Sequence, residues 1–281
     1  MKSQTEKVEI FRSLHHSDHL LVLPNVWDVP SARIFEDANF PAIATSSAAL
    51  AVSLGHPDGQ TIGKEELFSA VKKIASRLTV PLSVDIESGF GSTTEELSDT
   101  IKRVVATGAV GINIEDISNF EKKVLFPIDV QTERIRTVRN VSKSLGIALF
   151  INARTDAYRF APGDEQAKLK EAIRRANAYA GADADSLYPM GLTERNAITT
   201  FVNAVDKPVN IMARKGAPTI PELEKIGVKR LSLGPGPMYA TLGLLKKIAH
   251  ELKQNKTYEA MLAGAITFDE LNALANPRNP D

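Results

Sequence analysis

The segment "SVDIESGFG", 83–91, ends an apolar run on an Asp and a Glu one residue apart. On an extended strand, residues two apart share a face, so Asp85 and Glu87 point the same way. Two carboxylates side by side repel unless a cation or a proton lies between them. The Ser-Gly-Phe-Gly that follows allows a sharp turn or a close backbone approach to a ligand. Two further runs end in the same manner. "VGINIED" closes on Glu115 and "ALFINARTD" carries Arg154 and Asp156. Asp85, Glu87 and Glu115 form a candidate metal set for Mg2+, which takes one or two carboxylates directly and keeps several waters. Mn2+ accepts the same oxygen-rich surroundings. Arg154 offers a planar fork for a carboxylate or a phosphonate, and would equally serve an internal salt bridge to Glu115 or Asp156.

Other polar residues sit at comparable places. "ATSSAAL" puts Ser46 and Ser47 where a strand turns into a helix, a position for an oxyanion hole or for an ordinary helix cap. "SLGHPDGQ" is a Gly- and Pro-rich loop whose His56 and Asp58 are candidate general acids or bases, or simply parts of an Asp-Gly turn. "PVNIMA" carries Asn210, and "SLGPGP" lies where a barrel phosphate loop would lie.

Such residues need a scaffold that gathers strand ends. Short β-branched runs recur at 20–25, 42–47, 80–87, 110–116, 148–156, 184–189, 208–213 and 230–236. Segments of helical period separate them. In 63–78, Leu67, Val71, Ile74 and Leu78 share one face. The segment 93–108 opens with a capping-box pattern, Thr93 with Glu96, and 164–182 has a similar form. Eight alternating strand–helix units predict an α/β chain closed into a (β/α)8 barrel, with an open doubly wound sheet as the alternative. An extra N-terminal helix and a C-terminal helical extension at about 255–276 complete one domain over 1–281. In a barrel, catalytic groups gather at the C-terminal ends of the strands, where these residues stand.

The 281 residues carry equal numbers of acidic and basic side chains and no Cys. A thiol nucleophile, Cys-ligated zinc and a disulfide framework are therefore excluded. The charge balance provides no general attraction for nucleic acid or anionic membrane. The polar start and the lack of a membrane-length apolar run predict a cytoplasmic enzyme with a small-molecule substrate.

Taken in order, "PNVWDVPSARIFEDANFPAIATSSAALA", "GHPDGQ", "VDIESGFG", "GAVGINIED", "INARTDAY" and "SLGPG" resemble the isocitrate lyase/phosphoenolpyruvate mutase superfamily. They are most similar to its short phosphonomutase-like and 2-methylisocitrate-lyase-like branch. The resemblance implies a (β/α)8 barrel, Mg2+, a 2-oxo acid or its enolate, and homodimers or homotetramers that often exchange the eighth helix. It places Asp85 and Glu87 on the metal-site acidic pair, whose second member is usually Asp, and Glu115 on the acidic residue after the fourth strand. Ser46 and Ser47 fall on the oxo-acid-binding pair, Asp58 on a catalytic loop Asp, Arg154 on the substrate Arg and Asn210 on a substrate-facing Asn.

Two departures shape the expected chemistry. Val124-Leu125-Phe126 replace the lyase Cys-Gly-His, and Met190 replaces a Glu after the sixth strand. An oxaloacetate-decarboxylase-like lyase needs neither. The alternatives are P–C bond chemistry, for which Lys122 and Lys123 are present but only Asn119 precedes them, and a non-catalytic 2-oxo-acid-binding protein.

Overall fold

The computed structural model describes residues 2–275. Strand β1 (Leu21–Leu23) runs into β2 (Asn25–Val26) across Pro24. Pro24 has no N–H for the ladder, yet its carbonyl still accepts the Ala44 amide at 2.9 Å. Then follow β3 (Ile43–Thr45), β4 (Leu82–Asp85) and β5 (Gly111–Glu115). An antiparallel hairpin comes next, β6 (Ile117–Asn119) with β7 (Val124–Leu125). The last strands are β8 (Phe150–Thr155), β9 (Ser186–Pro189), β10 (Asn210–Met212) and β11 (Arg230–Ser232).

The parallel order is β2-β3-β4-β5-β8-β9 in one sheet and β1-β11-β10 in the other. A parallel bridge from Leu187 to Val209 joins them at one side, and the continuation of β1 into β2 joins them at the other. The ring is therefore closed. Counting β1 and β2 as one interrupted strand, it is the expected eight-stranded barrel rather than an open sheet.

The helices surround it: α1 (Gln4–Leu14), α2 (Val29–Asp37), α3 (Ser47–Ser53), α4 (Lys64–Ala75), α5 (Thr94–Ala106), α6 (Ile128–Ser144), α7 (Ala157–Phe160), α8 (Glu165–Ala180), α9 (Arg195–Asn203), α10 (Ile220–Ile226) and α11 (Gly236–Gln254). The short α12 (Glu259–Leu262) and α13 (Phe268–Ala275) form the C-terminal extension, and the last position anticipated for it, 276, lies outside the described residues. The capping box read from Thr93 and Glu96 closes the start of α5. The predicted face of α4 is buried at Leu67, Val71 and Ile74, and each such side chain contributes about 1.5–3 kcal/mol.

Helix α1 plugs the N-terminal end of the barrel, where Val8 and Phe11 pack against Leu21, Leu23, Ala42, Ala44, Val110 and Phe150. Gly111 leaves room for this plug, because a Cβ there would lie 2.9 Å from the Phe11 ring. His15 is sealed behind it, stacked on Phe150 with ring centroids 4.0 Å apart. Its Nδ1 lies 2.8 Å from the Phe11 carbonyl, which only a protonated Nδ1 can satisfy. Burial, reinforced by the positive charges of Arg230, His16 and Arg12, lowers its pKa to about 3.

A consequence for acid stability follows from that shift. Below the ordinary value of 6.5 the unfolded chain takes up a proton that folded His15 refuses until about pH 3. Stability therefore falls with pH through that window. From pH 7 to 5 the loss assigned to His15 is about 2 kcal/mol. Urea denaturation should show a correspondingly smaller fall in His15→Phe than in the wild type, and identical falls would refute the assignment.

Candidate active site

The barrel interior changes character toward the C-terminal ends of the strands. Apolar packing gives way to a buried polar layer. Asn152 Nδ2 donates to Asn113 Oδ1 at 2.8 Å, Ser186 Oγ donates to Asn152 Oδ1 at 2.7 Å, and Arg230 Nη2 donates to Asn113 Oδ1 at 3.0 Å. Arg230 is fully buried, and burial lowers its pKa to about 10. Above this layer opens a cavity of about 520 Å³. Ser46, Ser47, Asp58, Asp85, Arg154 and Tyr188 are among its lining residues.

The acidic side of the cavity is built by two loops. Asp85 ends β4, and its Oδ2 accepts the Ser47 hydroxyl at 2.8 Å. Glu87 follows in a left-handed conformation, φ +50°, uncommon for a residue with a side chain. Both Glu87 carboxylate oxygens are buried without a hydrogen bond of ordinary geometry, although the Gln60 backbone N–H nearby favours the charged form. Burial, then the charges of Asp85 and Asp58, raise the Glu87 pKa to about 8. Burial and the Asp85 charge likewise raise that of Asp58.

The cationic side belongs to Arg154. Strand register sets it opposite Glu115 on β5 and opposite Tyr188 on β9. Its Nη1 meets Glu115 Oε2 at 2.7 Å, and its Nε and Nη2 donate to Asp156 at 2.7 and 3.0 Å. Burial opposes the Arg154 charge, but Asp156 and Glu115 outweigh it and raise its pKa well above the ordinary value. Asp156 is fixed in turn through its backbone N–H, which donates to buried Asp116 at 2.9 Å. The internal salt bridge considered for Arg154 and its place in the cavity wall thus coexist.

The residues singled out in the sequence do not all reach the cavity. Ser46, Ser47, Asp58, Asp85 and Arg154 line it. Glu87 and Glu115 are buried beside it, Glu115 taken up by Arg154. Among the described residues, no three Asp, Glu, His or Cys side chains already stand in a metal-binding arrangement. Asn210 lies a layer lower, with Nδ2 donating to Ser232 Oγ at 3.2 Å, while Met212 two residues on reaches the cavity. Ser46 caps α3 by accepting the Ala49 amide, and its own N–H is spent on the Val26 carbonyl at 3.1 Å. The Ser47 N–H faces Asp85 at 3.4 Å, so neither amide stands free as an oxyanion hole. His56 pairs with Glu66 at 2.9 Å, away from the cavity wall. Lys122 and Lys123 are also absent from that wall, which instead carries Arg159, Arg214 and Lys215.

The "SLGPGP" loop does border the cavity through Ser232, Leu233, Gly234, Pro235 and Gly236, whereas Tyr188, Asn113 and Arg159 are cavity residues that the sequence reading does not single out. A signal existed for Asn113 and Tyr188. Asn113 precedes Glu115 by two along β5 and therefore shares its inward face, and Tyr188 precedes the terminal proline of β9.

Comparison with known proteins identifies the family of the chain. Residues 11–253 match the family described as phosphoenolpyruvate phosphomutase. An oxaloacetate decarboxylase of Bradyrhizobium is 30% identical over 72% of this chain and 69% of its own. A 2-methylisocitrate lyase of Bacillus subtilis is 29% identical over 74% of this chain and 67% of its own. A solved protein of Burkholderia cenocepacia superposes with a TM-score of 0.90 at 32% identity, covering 98% and 97% of the two chains. The closed barrel with acids and an arginine at its strand ends is thus that of an enzyme in the isocitrate lyase/phosphoenolpyruvate mutase superfamily, to which this chain belongs.

Proposed function

We propose that this enzyme is a Mg2+-dependent carbon–carbon lyase acting on a small 2-oxo acid or related carboxylate through a pyruvate-type enolate. Decarboxylation of oxaloacetate is the simplest such reaction. The observation that carries the reading is the crowded acidic wall. Asp85 faces the cavity, and both Glu87 carboxylate oxygens are buried nearby without a hydrogen bond of ordinary geometry. Such oxygen donors would suit a hard cation, which Asp85 would hold with Glu87 beside it, while Glu115 is taken up by Arg154. When bound, Mg2+ supplies a Lewis acid that draws off charge from the 2-oxo and carboxylate oxygens.

The remaining work falls to the chain. Arg154, held rigidly by Glu115 and Asp156, presents its positive charge to the substrate carboxylate. The Ser46 and Ser47 hydroxyls and the Tyr188 side chain border the same space and orient the oxo acid. Asp58 lines the cavity from a separate loop and carries the proton to the enolate carbon. No thiol is available in the chain, which favours a reaction needing only enolate stabilisation. Purified enzyme with Mg2+ tested against oxaloacetate, methylisocitrate, dimethylmalate and phosphonopyruvate decides the matter. Turnover of none, or turnover indifferent to Mg2+, would sink the reading.

A second reading keeps the cavity and changes the bond. Arg159, Arg214 and Lys215 on the cavity wall suit a phosphonyl group, so P–C cleavage or rearrangement is the alternative. Phosphorus NMR with phosphonopyruvate separates the two.

We further propose that the enzyme is a homodimer or homotetramer. Met238 is the one buried residue of α11, while Leu242, Leu244, Leu245 and Leu252 on that helix are exposed. Leu262, Ile266 and Phe268 continue the apolar surface, with Phe268 76% exposed. A second copy offering the same surface would bury it. Light scattering should give at least a dimer mass, reduced by Leu245→Glu combined with Phe268→Glu. A monomeric wild type would contradict this.

A further inference from the structure

The loop after α3, which carries Asp58, and the loop after β4, which carries Glu87, come from different βα units. One side chain joins them. Gln60 Nε2 donates to Ser88 Oγ at 2.5 Å, and Gln60 Oε1 accepts the Phe90 N–H at 2.6 Å. Both ends of the amide are used, and the Phe90 N–H can only donate, so the orientation of the amide is determined.

The backbone around this tie needs support. Gln60, Glu87, Gly89 and Phe90 all have positive φ, at +58°, +50°, +92° and +53°. For residues with side chains this costs roughly 1–2 kcal/mol each and persists only where surrounding contacts enforce it. From the other side, Arg134 on α6 donates to the Ser88 and Gly91 carbonyls, with its guanidinium 4.6 Å from the Phe126 ring centroid. Gly89 allows this close approach, since a Cβ there would lie 3.2 Å from Arg134 Nη2 and 2.6 Å from Leu97. The Glu87 loop is thus anchored to the barrel by Arg134. The Asp58 loop is joined to it by Gln60.

Asp58 is exposed and stands two residues before Gln60 on the same loop, whereas Glu87 is buried in the loop that Arg134 anchors. Without the Gln60 bonds, the exposed Asp58 loop would lose this connection to the anchored one. We propose that Gln60 is a positioning residue that couples these two loops and thereby fixes Asp58 over the cavity. Gln60 does not line the cavity itself and acts through Asp58. This rests on the reading of the cavity as the reacting site and of Asp58 as proton carrier.

Hydrogen exchange and kinetics on Gln60→Ala test it together. Exchange should rise at least about tenfold in 57–61 and 88–91 and stay unchanged in the barrel strands. Misplaced Asp58 should lower kcat by about 10–100-fold, with KM for the oxo acid within about threefold of wild type. Ser88→Ala, which removes only one of the two bonds, should give a smaller change in both measurements. Unchanged exchange in the two loops overturns the coupling whether or not the enzyme turns over the chosen acid. Faster exchange with unchanged kcat overturns the positioning role. If the wild type turns over nothing, the lyase reading and the role through Asp58 fall, and the exchange result still decides the coupling.

Discussion

Asp85→Asn is expected to lower kcat/KM by about a hundred- to a thousandfold while leaving the metal-free fold as stable as the wild type or more stable. Asp85 contributes a charge to a wall that already holds Glu87 and Asp58, and that charge raises the pKa of both. Neutralising it relieves repulsion within the folded state. The Asn oxygen can still accept the Ser47 hydroxyl that now donates to Asp85 Oδ2 at 2.8 Å. Stability and activity therefore move in opposite directions, as expected where a site stores like charges for a ligand. The same variant reports on the cation. Saturating Mg2+ should raise the wild-type Tm, with stabilisation of about 2.7 kcal/mol at a hundredfold excess over Kd. The variant should show little or none of this shift. Equal shifts in both proteins would remove Asp85 from the proposed metal site.

Much of this architecture is legible in the chain because a parallel barrel strand leaves a simple trace. An apolar run that ends in a charge is hard to place elsewhere, and Asp85, Glu115 and Arg154 all stand at such ends. What those charges do there is less legible, because ligand and ion pair require the same residue types at the same spacing. Glu115 suits a metal set as sequence. Only the register of β5 against β8 shows that it faces Arg154 and meets it at 2.7 Å. Depth along a strand is also hidden. Asn210 opens the short β10 and lies below the cavity, whereas Met212 at its other end reaches it. Arg230 is the extreme case. A basic residue at the start of a strand reads as a solvated charge, yet here it points into the barrel and donates to Asn113 from a distant unit. The β6–β7 hairpin lies between two of the predicted strand runs, 110–116 and 148–156, where the sequence predicts no strand, because its exposed residues show no clear apolar alternation.

Arg154→Met should be the most damaging single change, because this residue serves the fold and the reaction at once. Its guanidinium is buried between Glu115 and Asp156, both of which are themselves buried. Removing one partner of a buried ion pair costs about 3–5 kcal/mol, since the remaining charge is left without water or counter-charge. Two carboxylates are stranded here, so Glu115 is expected to take up a proton rather than remain ionised. Asp156 keeps Arg159 Nη1 at 2.7 Å, which limits the damage on that side. Turnover should fall at least about a thousandfold, because no other cavity cation is held in the same rigid fork. Arg154→Lys preserves the charge but reaches only one carboxylate well, and should recover part of the stability with little of the activity. The double variant Arg154→Met/Glu115→Gln separates the two roles. It removes the stranded Glu115 charge, so its urea midpoint should return toward wild type while turnover stays absent. Recovery of turnover in that double variant would show that Arg154 acts only by neutralising Glu115, and its proposed hold on the substrate carboxylate would have to be given up.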